Sequence, residues 1–257
     1  MDSEGRHSPP VIAELSRFCV LQPPVPELPP TEVHVWEFPV TASDSELETY
    51  AILLSEDERT RASRFRFERD ARRFTVARAS VRSILGGYTG SAGRDLRFNY
   101  SQYGKPSLAG ITTDVCFNVS HSADLAMLAV VRGREVGVDL EMIRGEVEID
   151  KLAQRFFSLQ ERESLRAIPR QDRTSAFFRC WTCKEAFLKA QGLGLSRSLE
   201  SFDVEVNPER PSRILATRPD PREAARWSLI DVPAVPAYAA AVAAEGPVPS
   251  VRVFRCL

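Results

Sequence analysis

The sequence predicts an α+β fold, with two similar α/β halves meeting near residue 135. Three observations predict it. β-rich segments occur in both halves of the chain. So do amphipathic stretches with a period near 3.6. The two kinds of segment do not alternate strictly, and no short repeat period is present, which argues against a doubly wound parallel sheet or a solenoid.

Each element has a local reason. Residues 1–30 contain QPPVPELPP, whose prolines cannot propagate a helix, so this segment reads as a weakly structured, extended tether. VHVWEF (33–38) alternates and is rich in β-formers, so it reads as a strand, with a helix over about 43–54. Ser55 with Glu58 forms a capping-box pattern before a short helix to about Arg64. The next helix carries an apolar stripe of Phe67, Ala71, Phe74, Ala77, Val81 and Leu85, and Gly86-Gly87 is expected to end it.

DLRFNY (95–100), VCFNVS (115–120) and DLAMLAVV (124–131) read as strands. The last is apolar nearly throughout and therefore central. RGRE reads as a turn returning the chain as VGVDLEMI, a hairpin. FSLQE opens a helix with Ser158 and Glu161 as a second capping box, and a further helix covers about 172–190. Strands follow at 202–206, 227–232, 237–243 and 251–254.

Composition narrows the function. The chain of 257 residues is 43% hydrophobic and 27% charged, and its net charge of −1 gives no global attraction to nucleic acid or an anionic membrane. MDSEGRHSPP lacks a basic segment followed by an apolar one, and no apolar run spans a bilayer. Five scattered cysteines fit a reduced cytoplasmic protein better than a disulfide scaffold.

Several stretches carry chemistry. In GVDLEMIR (137–144), Asp139 and Glu141 lie two apart on a strand, so they share a face, and Val138 and Leu140 pack on the other. Two like charges so close call for a cation or a basic group between them; a hard divalent cation such as Mg²⁺ would suit, unless that face is simply solvated. In CWTCKEAFLKA (180–190), Glu185 and Lys189 are i,i+4: either a surface ion pair, or a third metal ligand with a phosphate-binding lysine one turn on. Cys180 and Cys183 lie inside that helix rather than at its N-terminus, and there is no second pair, which speaks against redox or zinc chemistry. FNVSHS (117–122) ends a strand with Ser120 and His121 as donors to anionic oxygens, or is a polar turn. YGKP (103–106) presents Lys105 and Pro106 on a rigid turn. Nine arginines against five acids between residues 56 and 82 form a local basic face for phosphate or an acidic partner, or a bland helix surface.

Together GVDLE, WTCKEAFLK, FNVSHS and YGKP, with RFFS (155–158) and GLGLS, resemble the 4′-phosphopantetheinyl transferases, in particular the long single-chain type that activates nonribosomal peptide and polyketide synthases. The likeness runs from about residue 33 to about 243. It implies two halves related by a pseudo-twofold, with coenzyme A (CoA) bound between them. It also implies Mg²⁺, with Mn²⁺ as an alternative, on Asp139, Glu141 and Glu185. By the same resemblance Lys189, Ser120 and His121 contact CoA phosphates, and Lys105 with Pro106 lies against the adenosine part. Arg73 lies near the 3′-phosphate, helped by Arg61. Glu185, Lys189 and His121 are the implied catalytic groups. The sequence departs from the family at Glu58, where a lysine is expected, and at Phe74, where a hydroxyl is expected.

The expected organisation is an N-terminal segment 1–30, a half over 31–135 with the CoA-binding basic helix and loops, and a half over 136–257 with the acids. The expected partners are CoA and apo acyl or peptidyl carrier domains, with no nucleic acid and no membrane, acting as a monomer. The rival readings are a non-catalytic CoA- or carrier-binding module, an arginine-helix nucleic-acid binder and a thiol oxidoreductase.

Overall fold

The computed structural model describes residues 9–16, 21, 23 and 25–256. Twelve strands and six α-helices are defined among them. They are β1 (Val11–Leu15), β2 (Glu32–Pro39), α1 (Asp44–Ile52), α2 (Glu56–Ala62), α3 (Glu68–Thr89), β3 (Arg97–Tyr100), β4 (Pro106–Ala109), β5 (Val115–Ser122), β6 (Leu125–Arg132) and β7 (Val136–Met142). Then follow α4 (Ile149–Phe156), α5 (Leu159–Ala167), α6 (Arg173–Gln191), β8 (Phe202–Val204), β9 (Ile214–Thr217), β10 (Trp227–Asp231), β11 (Tyr238–Glu245) and β12 (Ser250–Cys256).

The order repeats. β2, three helices, the β3–β4 pair, β5 and β6 are matched by β7, three helices, the β8–β9 pair, β10 and β11. The pairing repeats too: β2 lies beside β6 and β6 beside β5, while β7 lies beside β11 and β11 beside β10, all antiparallel. The fold is therefore α+β in two similar halves.

The core forms three layers of contact. Alternate residues of β6 explain its continuous apolar run: Ala126, Leu128 and Val130 face α3, while Leu125, Met127, Ala129 and Val131 face the second sheet. Val138 and Leu140 of β7 meet them there, and α6 covers the outer face of the second sheet.

Some expectations are corrected. The tether contains a strand, β1, which pairs in parallel with β12; the remainder of that expectation, at residues 1–8, 17–20, 22 and 24, lies outside the described residues. β12 does not stay with the half it follows. It inserts between β1 and β2, because Val251 and Val253 fill the space between the sheets while Phe254 and Cys256 face α3. β6 and β7 are not a hairpin: they belong to different sheets, stacked face to face through their valines and leucines. Gly86 and Gly87 do not end α3, which runs to Thr89 and closes on Gly90 at φ +69°. α4, β4 and β9 were not anticipated at all. Cys116, Cys180 and Cys183 are free thiols as expected, but Cys256 is disulfide-bonded.

Both capping acids turn out to anchor a helix. The Glu58 carboxylate accepts from Ser55 N at 3.1 Å and from Arg82 Nε at 2.5 Å, and Arg78 Nε also donates to it. Arg82 carries the link onward to the carbonyls of Gly93 and Leu96. Glu58 is thus a buried structural acid rather than a displaced ligand contact. Burial alone would raise its carboxyl, but the guanidiniums of Arg82 and Arg78 outweigh this and hold it below the usual range. A depressed folded-state pKa contributes stability that is present above the unfolded value of about 4.3 and is lost as pH falls through the folded value. The melting-temperature difference between the wild type and Glu58→Gln should therefore be largest at neutral pH and shrink below about pH 4.3. A difference that does not change with pH would refute this account.

Candidate active site

β7 sets the geometry. Residues 137, 139 and 141 share the face toward α6, and Gly137 permits the contact. A Cβ there would lie 2.1 Å from Ala186 O and 2.2 Å from Ala190 N, both backbone atoms. The helix therefore packs directly on the strand, which brings Asp139 and Glu141 next to Glu185 and Lys189.

Lys189 does not form the i,i+4 surface pair. Its Nζ donates to Asp139 Oδ1 at 2.6 Å and to Ser120 Oγ at 2.9 Å. The Ser120 hydroxyl in turn donates to Asp139 Oδ1 at 2.9 Å, and the Ser122 hydroxyl donates to a Glu141 oxygen at 2.8 Å. Burial raises all three carboxyls above the usual range. Asp139 and Glu141 further raise Glu185, against the opposing pull of Lys189. Asp139 also raises Glu141, so the two glutamates each feel a neighbouring negative charge in a partly buried place, a setting that favours added positive charge.

Among the described residues no group of three or more His, Cys, Asp or Glu side chains stands in a metal-ligating arrangement. The acids are neighbours but not a closed cage, since Lys189 takes up Asp139 Oδ1. The donor set nevertheless fits a hard cation. The donors on offer are all carboxylate oxygens, and Asp139 Oδ2 is buried with no hydrogen-bond partner.

Beside the acids lies a cleft of about 290 Å³. It gathers four of the sequence-predicted residues, Arg61, Lys105, Pro106 and Lys189, and the floor is Asn118 and Val119 of β5. Hollows of about 550 Å³ elsewhere hold none of the predicted residues, so volume does not pick the site. Lys189 lines the cleft and binds Asp139, so it joins the cationic wall to the acids.

The remaining predicted residues are not on the lining. Ser120 is buried against Asp139. His121, next in the strand, is exposed on the opposite face. Arg73 is tied to Asp124 in the β5–β6 turn. Lys105, though on the lining, spends its ammonium on Glu135 at 2.5 Å and on the carbonyl of Ala190 at 2.7 Å. It latches the YGKP turn to the C-terminal end of α6. The sequence marks Arg78 only as one of nine arginines on a basic face and Phe74 only as part of an apolar stripe and the place of an expected hydroxyl, and it does not single out Tyr100 or Tyr103. Arg78 bonds Glu58 and the Tyr100 hydroxyl and lies 4.3 Å over Phe98, while Arg61 lies 5.1 Å over Phe74. Aromatic residues beside the YGKP turn were the available signal.

Cys180 and Cys183 are fully buried in the α6 core. Burial pushes the Cys180 thiol well up and Cys183 to about 12, so neither is a nucleophile at neutral pH.

Comparison with known proteins identifies the family. Residues 39–132 match the family model "4′-phosphopantetheinyl transferase, N-terminal", and residues 135–243 match "4′-phosphopantetheinyl transferase superfamily". The chain is 40% identical over 227 residues to 4′-phosphopantetheinyl transferase HetI of Nostoc sp. (strain PCC 7120), covering 88% of this chain and 92% of that protein. The chain belongs to the 4′-phosphopantetheinyl transferase superfamily. It is a transferase. It is also 32% identical to 4′-phosphopantetheinyl transferase Sfp of Bacillus subtilis (strain 168), over 65% of this chain and 73% of that one. Thermotoga maritima holo-[acyl-carrier-protein] synthase shows a partial structural likeness, with a TM-score of 0.35 at 20% identity, covering 44% of this chain and 63% of that one. Among the described residues no helix is long and apolar enough to cross a membrane.

Proposed function

We propose that this transferase moves the 4′-phosphopantetheine arm of CoA to a serine of an apo acyl or peptidyl carrier protein, in a Mg²⁺-dependent reaction that releases 3′,5′-ADP. The observation that carries this reading is the junction at Lys189, which lines a cleft of basic and aromatic side chains and reaches the acid Asp139 at 2.6 Å.

The serine oxygen attacks the phosphorus that bears the pantetheine. The new O–P bond forms as the P–O bond to the nucleotide's 5′-phosphate breaks. Positioning and charge neutralisation dominate such transfers. Asp139, Glu141 and Glu185 would hold a hard divalent cation, Mg²⁺ or Mn²⁺, whose charge supports the diphosphate. Lys189 donates to the same oxygens after leaving Asp139. Glu185, or a water that it orients, would take the serine proton. Lys105 and Pro106 hold the turn beside the adenosine part. Ser120 and His121 serve the phosphates, and Arg61 and Arg73 serve the 3′-phosphate, with Arg73 exchanging Asp124 for it. The remaining arginines of 56–82 guide an acidic carrier. The chain works as a cytoplasmic monomer.

The test is the intact mass of an apo carrier protein after incubation with the enzyme, CoA and Mg²⁺. One arm should be gained, and EDTA should abolish the gain. Glu185→Gln should lower the rate by at least about 10²-fold, the usual contribution of a general base. The same variant should melt above the wild type in EDTA, because it removes a half-buried acid that the charges of Asp139 and Glu141 oppose. No gain with several carriers, despite CoA binding, would leave a binding module and refute the catalytic reading.

A further inference from the structure

β7 is an edge strand of its sheet. Its antiparallel pairing with β11 uses one set of amides and leaves those of Val138, Leu140 and Met142 directed away from that partner. Unpaired buried amides are costly, so they need acceptors. β5, the edge strand of the other sheet, supplies them from side chains instead of its backbone. Asn118 Oδ1 accepts from Val138 N at 2.9 Å, Ser120 Oγ from Leu140 N at 3.3 Å and Ser122 Oγ from Met142 N at 3.0 Å. Each rung advances two residues on both strands, so the two edges run in register and in parallel.

The two serines do more than fill the edge. A hydroxyl has one proton and two lone pairs. Ser120 gives its proton to Asp139, and Ser122 gives its proton to Glu141. Each serine thus grips one acid's carboxylate and the amide of the residue that follows it. Ser120 is also bound by Lys189. Ser122 has no other side-chain partner among those described, so its bond to Glu141 at 2.8 Å is its only side-chain link to the acidic wall. Glu141 has three side-chain torsions, and of the bonds described to its carboxylate this one alone restricts them.

We propose that Ser122 is a positioning residue for Glu141: one hydroxyl, held between the carboxylate and the Met142 amide, fixes the acid both along the strand and in its rotamer. This rests on the reading of Glu141 as a ligand of the divalent cation. Partners that orient a metal ligand typically cost 10- to 100-fold in affinity when removed, roughly the scale expected here. Asn118 makes the same kind of rung without touching an acid, which separates the structural part of the ladder from the positioning part.

The probe is Mn²⁺ alone, titrated into the full chain while the signal of free Mn²⁺ is followed by electron paramagnetic resonance. Melting curves are recorded on the same samples. Ser122→Ala should weaken Mn²⁺ binding by about 10-fold and raise the Mg²⁺ concentration needed for half-maximal transfer, with the KM for CoA unchanged once Mg²⁺ is saturating. Ser122→Thr, which keeps the hydroxyl, should bind Mn²⁺ close to the wild type. An alanine variant that melts lower but binds Mn²⁺ as the wild type does would show a purely structural rung and overturn the proposal. Equal losses in the alanine and threonine variants would overturn it too. A wild type that binds no Mn²⁺ would overturn the metal reading itself, a result distinct from wild-type binding that Ser122 does not influence.

Discussion

Gly137→Ala is expected to destabilise the chain by at least about 3 kcal/mol, the upper range for overpacking a tight core, and to disable transfer in whatever fraction remains folded. The added methyl would sit 2.1 Å from Ala186 O and 2.2 Å from Ala190 N. Both atoms are helix backbone, so no rotamer change makes room, and α6 has to back away from β7. That displacement acts directly on the site, because Glu185 and Lys189 ride on α6 while Asp139 and Glu141 ride on β7. Urea unfolding followed by tryptophan fluorescence reads the first effect, and carrier-protein mass reads the second. An alanine variant with the wild-type midpoint would mean that the strand and helix are not in the contact described.

Lys184→Met should cost about 3–5 kcal/mol, the range for removing one partner of a buried ion pair. Lys184 Nζ donates to both oxygens of Glu161, at 2.6 and 2.8 Å, and to Phe202 O at 2.7 Å, with essentially no exposure of either charge. Glu161 also accepts from Ser158 N and Val204 N. Without the lysine the carboxylate stays buried on amides alone, and Phe202 O loses its donor. Adding Glu161→Gln should restore part of the loss, since a glutamine oxygen still accepts from an amide while the stranded charge is gone. A double variant no more stable than Lys184→Met would contradict this.

Such pairs were visible in the sequence only in part. Ser158 with Glu161 announced a helix start, and that start is real, but nothing local announces that Glu161 anchors a lysine 23 positions on. The same holds for Glu58 and Arg82. Periodicity reported β6 as central, because both of its faces are buried and neither face can alternate to polar. It also put Asp139 and Glu141 on one face. It did not report β7's partner, since β6 is nearest in sequence and β11 is nearest in space. Nor did it report what the cations hold. Lys105 and Arg73 have the composition of phosphate contacts, and their tips are fixed by Glu135 and Asp124, neither of which belongs to a motif. Residue type sets what a side chain can bind, whereas long-range topology sets what it does bind.

The place of β12 has a consequence for how the chain is made. β2 and β1 are synthesised early, yet Ser250–Cys256 must slip between them before their sheet is continuous. A ribosome that has produced all of β2 through β6 still holds back the strand that seals β2's open side, so that edge waits unpaired through most of translation. The half that is made first is finished last, and removing Ser250–Cys256 would strip the five-stranded sheet of an interior strand rather than trim a tail.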